Sequence, residues 1–182
     1  MRTYICLLRG INVSGQKLIK MVKLKASFEG LGFENVITYI QSGNIVFKSD
    51  KNDTKSLENK IHKMLLDDYG FDITVVILTP EQIQAVVSNN PFEKDGSKDI
   101  KKLCVVFLQN QPLQEHIEKL KEVNYSPEEL VFNDKIIYFY AAFGAGRTKL
   151  NTNFFENKLK VKATARNWRT TNKLLEMTCS IS

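Results

Sequence analysis

Apolar residues recur along this chain in two rhythms, and each change of rhythm marks an element. Tyr4, Ile5, Cys6, Leu7 and Leu8 form an unbroken apolar run, which predicts a strand over 3–8. From Met21 the spacing lengthens. Met21, Leu24, Phe28 and Leu31 recur at three- and four-residue intervals, as on one face of a helix, and Gly32 supplies the stop. Residues 36–40 and 45–48 are short runs on either side of Gln41-Ser42-Gly43-Asn44, and predict a hairpin. A second helix over 54–69 carries Leu57, Ile61, Met64 and Leu65 on one face and ends at Gly70. The β-branched stretch 72–78 predicts a fourth strand.

Strand, helix, strand, strand, helix, strand is the split βαβ, or ferredoxin-like, order. Thr79-Pro80-Glu81-Gln82 then starts a helix. Thr79 can cap, Pro80 suits the first helical position, and Gln82 completes a capping box. This helix runs to about Asn89 and stops before Asn90-Pro91. After it the order repeats: strand 103–109, helix 113–123, hairpin strands 130–132 and 136–140, helix 150–159, strand 161–165 and a last helix over 167–177. The predicted fold class is α+β, with two ferredoxin-like (βαββαβ) halves, extra helices and mainly antiparallel sheets. The first half with its trailing helix spans 1–90, a polar linker 91–102, and the second half with its C-terminal helix 103–182. The halves repeat in pattern only, with no sequence identity apparent between them. Strands that are apolar on both sides imply sheets covered on both faces. That argues against RNA binding by an exposed aromatic sheet surface.

Length and charge narrow the reading. With 182 residues the chain can bury a substantial core. No apolar run approaches the roughly 20 residues of a membrane span, and the short N-terminal run lacks a signal-peptide pattern, so a cytoplasmic location and no membrane partner are expected. Three cysteines, two of them in apolar runs, suggest neither a disulfide framework nor a zinc site. A net charge of +6 favours anionic partners.

Three polar, glycine- or arginine-bearing clusters sit where strands end. In the first, Arg9, Gly10, Asn12 and Gly15 follow the first strand. Antiparallel pairing of the first and third strands would bring them beside Gln41, Ser42, Gly43 and Asn44. In the second, Gly144, Gly146, Arg147, Thr148 and Lys149 precede a helix that Thr148 could cap. Glycines, cations and free helix amides there suit an anion, although the spacing is not that of a Walker motif. The third, Arg166, Asn167, Trp168 and Arg169, also lies between strand and helix, and the two clusters of the second half should share one basic edge. Trp168 is either an anchor for the last helix or a stacking surface. His62 and His116 read as solvated, no spacing suggests a metal site, and Asp67-Asp68 and Glu128-Glu129 are expected on the surface, so no catalytic residue stands out.

Leu8-Arg9-Gly10-Ile11-Asn12-Val13, Thr38-Tyr39-Ile40-Gln41-Ser42-Gly43-Asn44 and Ala165-Arg166-Asn167-Trp168-Arg169-Thr170 resemble the bacterial domain-of-unknown-function family 1697, over nearly the whole chain. Ser14 departs from the glycine more usual there. The resemblance implies an α+β fold with ferredoxin-like elements, and brings no activity, cofactor or catalytic residue with it. The functional expectation is a cytosolic protein that binds a phosphate-bearing ligand, a nucleotide or nucleic acid, at the glycine-rich and basic loops. An enzyme acting on a small anionic metabolite and an interaction module with purely structural loops are the alternatives. Cofactor and oligomeric state stay open.

Overall fold

The computed structural model describes residues 1–181. The chain divides into two compact units, residues 1–84 with the tail from Lys173, and residues 85–172.

In the first unit β1 (Arg2–Leu8), α1 (Met21–Gly30), β2 (Glu34–Tyr39), β3 (Asn44–Ser49), α2 (Thr54–Tyr69) and β4 (Val75–Leu78) follow the predicted order. The sheet runs β2-β3-β1-β4 and every pairing is antiparallel. Alternate residues of β1 and β3 (Tyr4, Cys6, Leu8, Ile45, Phe47) join Leu24 and Phe28 of α1 and Leu57, Ile61 and Leu65 of α2 in one core. Phe28, Phe33 and Phe47 pack ring against ring at its centre. Each such burial contributes about 1.5–3 kcal/mol. Residues of the opposite sheet face, Ile5, Leu7, Val46 and Val76, are buried too, so this sheet is no open platform. Asp53 caps α2 by accepting from the amides of Lys55 and Ser56, and Gly70 ends it at φ 69°. The predicted capping box of α3 (Pro80–Ser88) forms in both directions: Thr79 N donates to Gln82 Oε1 and Gln82 N to Thr79 Oγ1.

The second unit repeats the plan with β5 (Leu103–Leu108), α4 (Gln114–Lys121), β6 (Glu129–Asn133), β7 (Ile136–Tyr140), α5 (Thr152–Leu159) and β8 (Ala163–Asn167). Its sheet order, β6-β7-β5-β8, matches the first strand for strand. Cys104, Val106, Ile137, Phe139, Phe155 and Leu159 are central to its core. The last helix, α6 (Trp168–Ser180), follows β8 directly.

Among the boundaries that differ from the sequence expectation, two bear on the candidate site. Strand β8 lies two residues later than predicted, which places Arg166 inside the ladder opposite Val105. Helix α5 is capped by Asn151, whose Oδ1 accepts from Phe154 N, and not by Thr148, whose Oγ1 accepts from Leu150 N. Leu150 is buried, and the chain turns into the helix only after that anchor.

A matched pair of carboxylates also emerges. Glu58, the fifth residue of α2, accepts from the amide of Ile77 in the edge strand β4 at 3.2 Å. Glu156, the fifth residue of α5, accepts from the amide of Ala163 in the edge strand β8 at 2.9 Å. Both sit in the same Glu-Asn-Lys triplet flanked by apolar residues, Leu57-Glu58-Asn59-Lys60-Ile61 and Phe155-Glu156-Asn157-Lys158-Leu159. The halves therefore share a recognisable segment after all.

Candidate functional site

The first cluster comes together as the strand order requires. Leu8 N donates to Gly43 O at 2.8 Å, and Asn12 Nδ2 to Gln41 O at 2.9 Å. Asn12 also donates to Ile19 O, and its Oδ1 accepts from Ile19 N, so this side chain clamps the loop shut. The loop winds tightly: Gly10, Asn12, Ser14, Gly15 and Lys17 all have positive φ. Asn44 is fully buried and bonds Tyr39 O. Arg9 is half-buried, with its amide on Thr74 O. Gln41 and Ser42 are exposed, as is Gly15. No Asp or Glu precedes Glu29 in the chain, so Arg2, Arg9, Lys17, Lys20, Lys23 and Lys25 give this N-terminal segment a positive field.

In the second unit the loop 141–150 leaves β7 with Ala141 N on Lys102 O and Lys102 Nζ on Ala142 O. Arg147 N donates to Gly144 O, closing a turn in which Gly144 takes φ 86°. Arg147, Lys149 and Gly146 are exposed, and Thr148 is half-buried.

The third cluster is divided where β8 passes into α6. Arg166 shares a face of β8 with Thr164. It is buried, and its Nη1 donates to Thr164 Oγ1 and to Ala165 O, both at 2.8 Å. This guanidinium is tied to its own strand. Asn167, the last residue of β8, and Trp168 and Arg169, the first two of α6, line a cavity of about 550 Å³ with Glu93, Ile100, Lys101 and Asn172. Asn167 caps α6, its Oδ1 accepting from Thr170 N at 2.8 Å. Trp168 is only 4% exposed, and its Nε1 donates to Glu93 Oε1 at 3.3 Å. Asn172 Nδ2 holds Trp168 O at 2.9 Å. Arg169 and Lys101 are exposed cations on the walls, and Ile100 is an exposed apolar one. The first-turn amides of α6 add a partial positive charge beside them. Arg147, Lys149 and Arg166 are not among the residues that line this cavity.

Three of the seven lining residues, Glu93, Ile100 and Lys101, come from 92–102, read from sequence as a polar linker. Phe92 is buried there, and the turn Ile100–Lys102 is capped by Asp99, whose Oδ1 accepts from Lys101 N. An Asp before an apolar residue in a charged stretch was the available signal.

The titratable residues read as solvated are also placed. His62 lies 2.9 Å from exposed Asp72, and His116 is partly covered with Nδ1 against Leu159 O. Glu128, expected on the surface, is buried. Among the described residues no group of three His, Cys, Asp or Glu side chains could hold a metal ion, and no helix is long and apolar enough to cross a membrane.

Two four-stranded antiparallel sheets of identical strand order, each with its pair of helices, define an α+β protein of doubled ferredoxin-like design. The chain belongs to the family described as Protein of unknown function (DUF1697), whose model matches residues 1–138. It is similar in structure to the conserved bacterial protein SP0830 from Streptococcus pneumoniae, with a TM-score of 0.77 and 26% sequence identity, over 97% of this chain and 98% of that one. No curated protein matches the chain.

Proposed function

We propose that the protein binds a small phosphate-bearing ligand, a nucleotide in the first instance, in the cavity at the head of α6. The observation that supports this most is the company kept by the cavity: Arg169, Lys101 and a helix N-terminus around a space whose other walls are Trp168, Ile100, Asn167, Asn172 and one carboxylate, Glu93, which accepts from the Trp168 indole. A volume near 550 Å³ falls within the range of small-ligand sites, about 300–1,000 Å³. Cations and amides suit a phosphate, and the apolar wall suits a base or another flat group. A cavity of this volume with two cations favours a mononucleotide over a strand of nucleic acid, which needs an extended basic groove.

The chain contains one tryptophan, so indole fluorescence reports on this cavity alone. Titration calorimetry with ATP, AMP, adenosine and inorganic phosphate, with fluorescence in parallel, tests the reading. ATP and AMP should bind saturably, more weakly as salt rises, and adenosine should not. Arg169→Ala should weaken binding about tenfold or more, the worth of one charge-assisted hydrogen bond at ~1.5–3 kcal/mol. The reading fails if no probe binds below ~10 mM, or if Arg169→Ala binds like the wild type.

A further inference from the structure

A second cavity, of about 270 Å³, opens in the second unit beside β6 and the turn that precedes it. Two of its lining residues carry buried polar atoms that meet no hydrogen-bond partner among the described residues, Glu128 Oε1 and the Tyr125 hydroxyl. Glu128 is 8% exposed. Native proteins seldom leave such atoms unmatched, because stripping water from a carboxylate without replacing its donors is costly. Neither group can easily swing away. Glu128 N donates to Tyr125 O at 2.9 Å, closing the turn that carries both, and the Tyr125 ring packs edge-on against Phe154, with centroids 5.9 Å apart. Burial also pushes the Tyr125 phenol upward, so it stays a neutral hydroxyl.

The surroundings define what would fit. Phe92 and Leu130 supply apolar walls, while Val123 and Val131 are exposed hydrophobic residues at the mouth. Two further charged residues line the cavity. Glu129 is engaged by the Lys98 ammonium, and Lys121 is exposed. We propose that this cavity binds a primary ammonium group on a short alkyl chain, with Glu128 and Tyr125 accepting its hydrogen bonds. A primary ammonium has three donors and can serve both oxygens, while its methylenes lie against Phe92 and the valines. A quaternary ammonium has no donor to offer, and a metal ion would find too few hard ligands, since no three-residue metal cluster exists among the described residues. A free amine and a lysine side chain share this chemistry.

The test is a protein-observed ¹⁵N NMR titration of the full chain with n-butylammonium chloride, beside tetramethylammonium chloride and sodium chloride at equal ionic strength. Saturable shifts confined to residues around 123–131, with butylammonium only, are expected. Glu128→Gln should weaken binding about tenfold or more, and Tyr125→Phe by a smaller factor. Glu128→Gln should melt no lower than the wild type, because it replaces a carboxyl group whose buried Oε1 meets no hydrogen-bond partner. A parallel titration with N-acetyl-lysine amide sorts the source: tighter binding than butylammonium points to a lysine side chain, weaker binding to a free amine. The proposal is overturned if shifts follow ionic strength alike for all three salts, or if both variants bind butylammonium as the wild type does. If Glu128→Gln fails to fold, Tyr125→Phe decides by the same criterion.

Discussion

Gly43 and Gly10 have nearly the same backbone, φ +73° and φ +66°, and differ in the space around them. A Cβ on Gly43 would lie 2.6 Å from Leu8 Cβ, 3.1 Å from Leu8 O and 3.2 Å from Ile11 Cγ1, whereas one on Gly10 meets nothing within 4 Å. Both alanine variants carry the left-handed penalty of about 1–2 kcal/mol. Only Gly43→Ala adds a clash. Its nearest obstacle is the β-carbon of a residue locked in the β1 ladder, which no rotamer can move aside. Overpacking of that kind costs about 1–3 kcal/mol, so Gly43→Ala should lose ~2–5 kcal/mol in total and Gly10→Ala ~1–2. Urea melts followed by far-UV circular dichroism would measure both. Should the two variants lose the same stability within ~0.5 kcal/mol, the close approach of the 41–44 turn to the end of β1 is not the constraint that fixes this edge.

Three further outcomes are expected. Glu58→Leu orphans the Ile77 amide and should cost about 1–3 kcal/mol, with faster hydrogen exchange at Ile77. Unchanged exchange would mean that the carboxylate does not hold that edge. Arg166→Ala should lower the melting temperature, by a stability loss of about 2 kcal/mol or more, and leave nucleotide affinity alone. Arg169→Ala should weaken nucleotide binding and leave the melting temperature alone, and a common effect of both on affinity would refute the assignment of Arg166 to the strand and Arg169 to the cavity. Burial pushes the Cys104 thiol up to about 11 from an ordinary value of 9.0, Cys6 is buried, and Cys179 is exposed. A thiol reagent at about pH 8 should therefore label one cysteine quickly in the folded chain and three after unfolding. The stability contributed by an un-ionised Cys104 is complete below pH 9.0 and is lost as pH rises through about 11.

Periodicity carried the fold well because each half obeys one local rule at a time. The apolar runs of β1 and β5, the helical spacing from Met21 and from Thr54, and the Thr79–Gln82 box each settle in the element they predict. The meeting of Asn12 with Gln41 followed from strand order alone. What escaped depends on where elements end and on burial at a distance. Strand β8 runs on to Asn167, so Arg166 sits in the ladder opposite Val105 while Arg169, on α6, lines a cavity. Thr148 and Asn151 are equally good caps on paper, and the buried Leu150 between them chooses the second. Glu128 looks like its exposed neighbour Glu129 until the turn from Tyr125 folds it inward. The stretch 92–102 is polar by composition, yet it supplies Ile100 and Lys101 to the cavity.

The paired glutamates, Glu58 and Glu156, bear on how the protein survives in a crowded solution. An edge strand offers amides to any passing strand, and a stranger's carbonyl on that edge starts sheet growth between molecules. In each half a helix carboxylate already occupies one such donor, on Ile77 and on Ala163. At the far edge of the first sheet, a bulge between Glu34 and Ile37, with Asn35 at φ 51°, breaks the regular ladder. A chain of apolar strands thereby keeps its edges to itself, and loss of either glutamate should show first as aggregation, before any loss of fold.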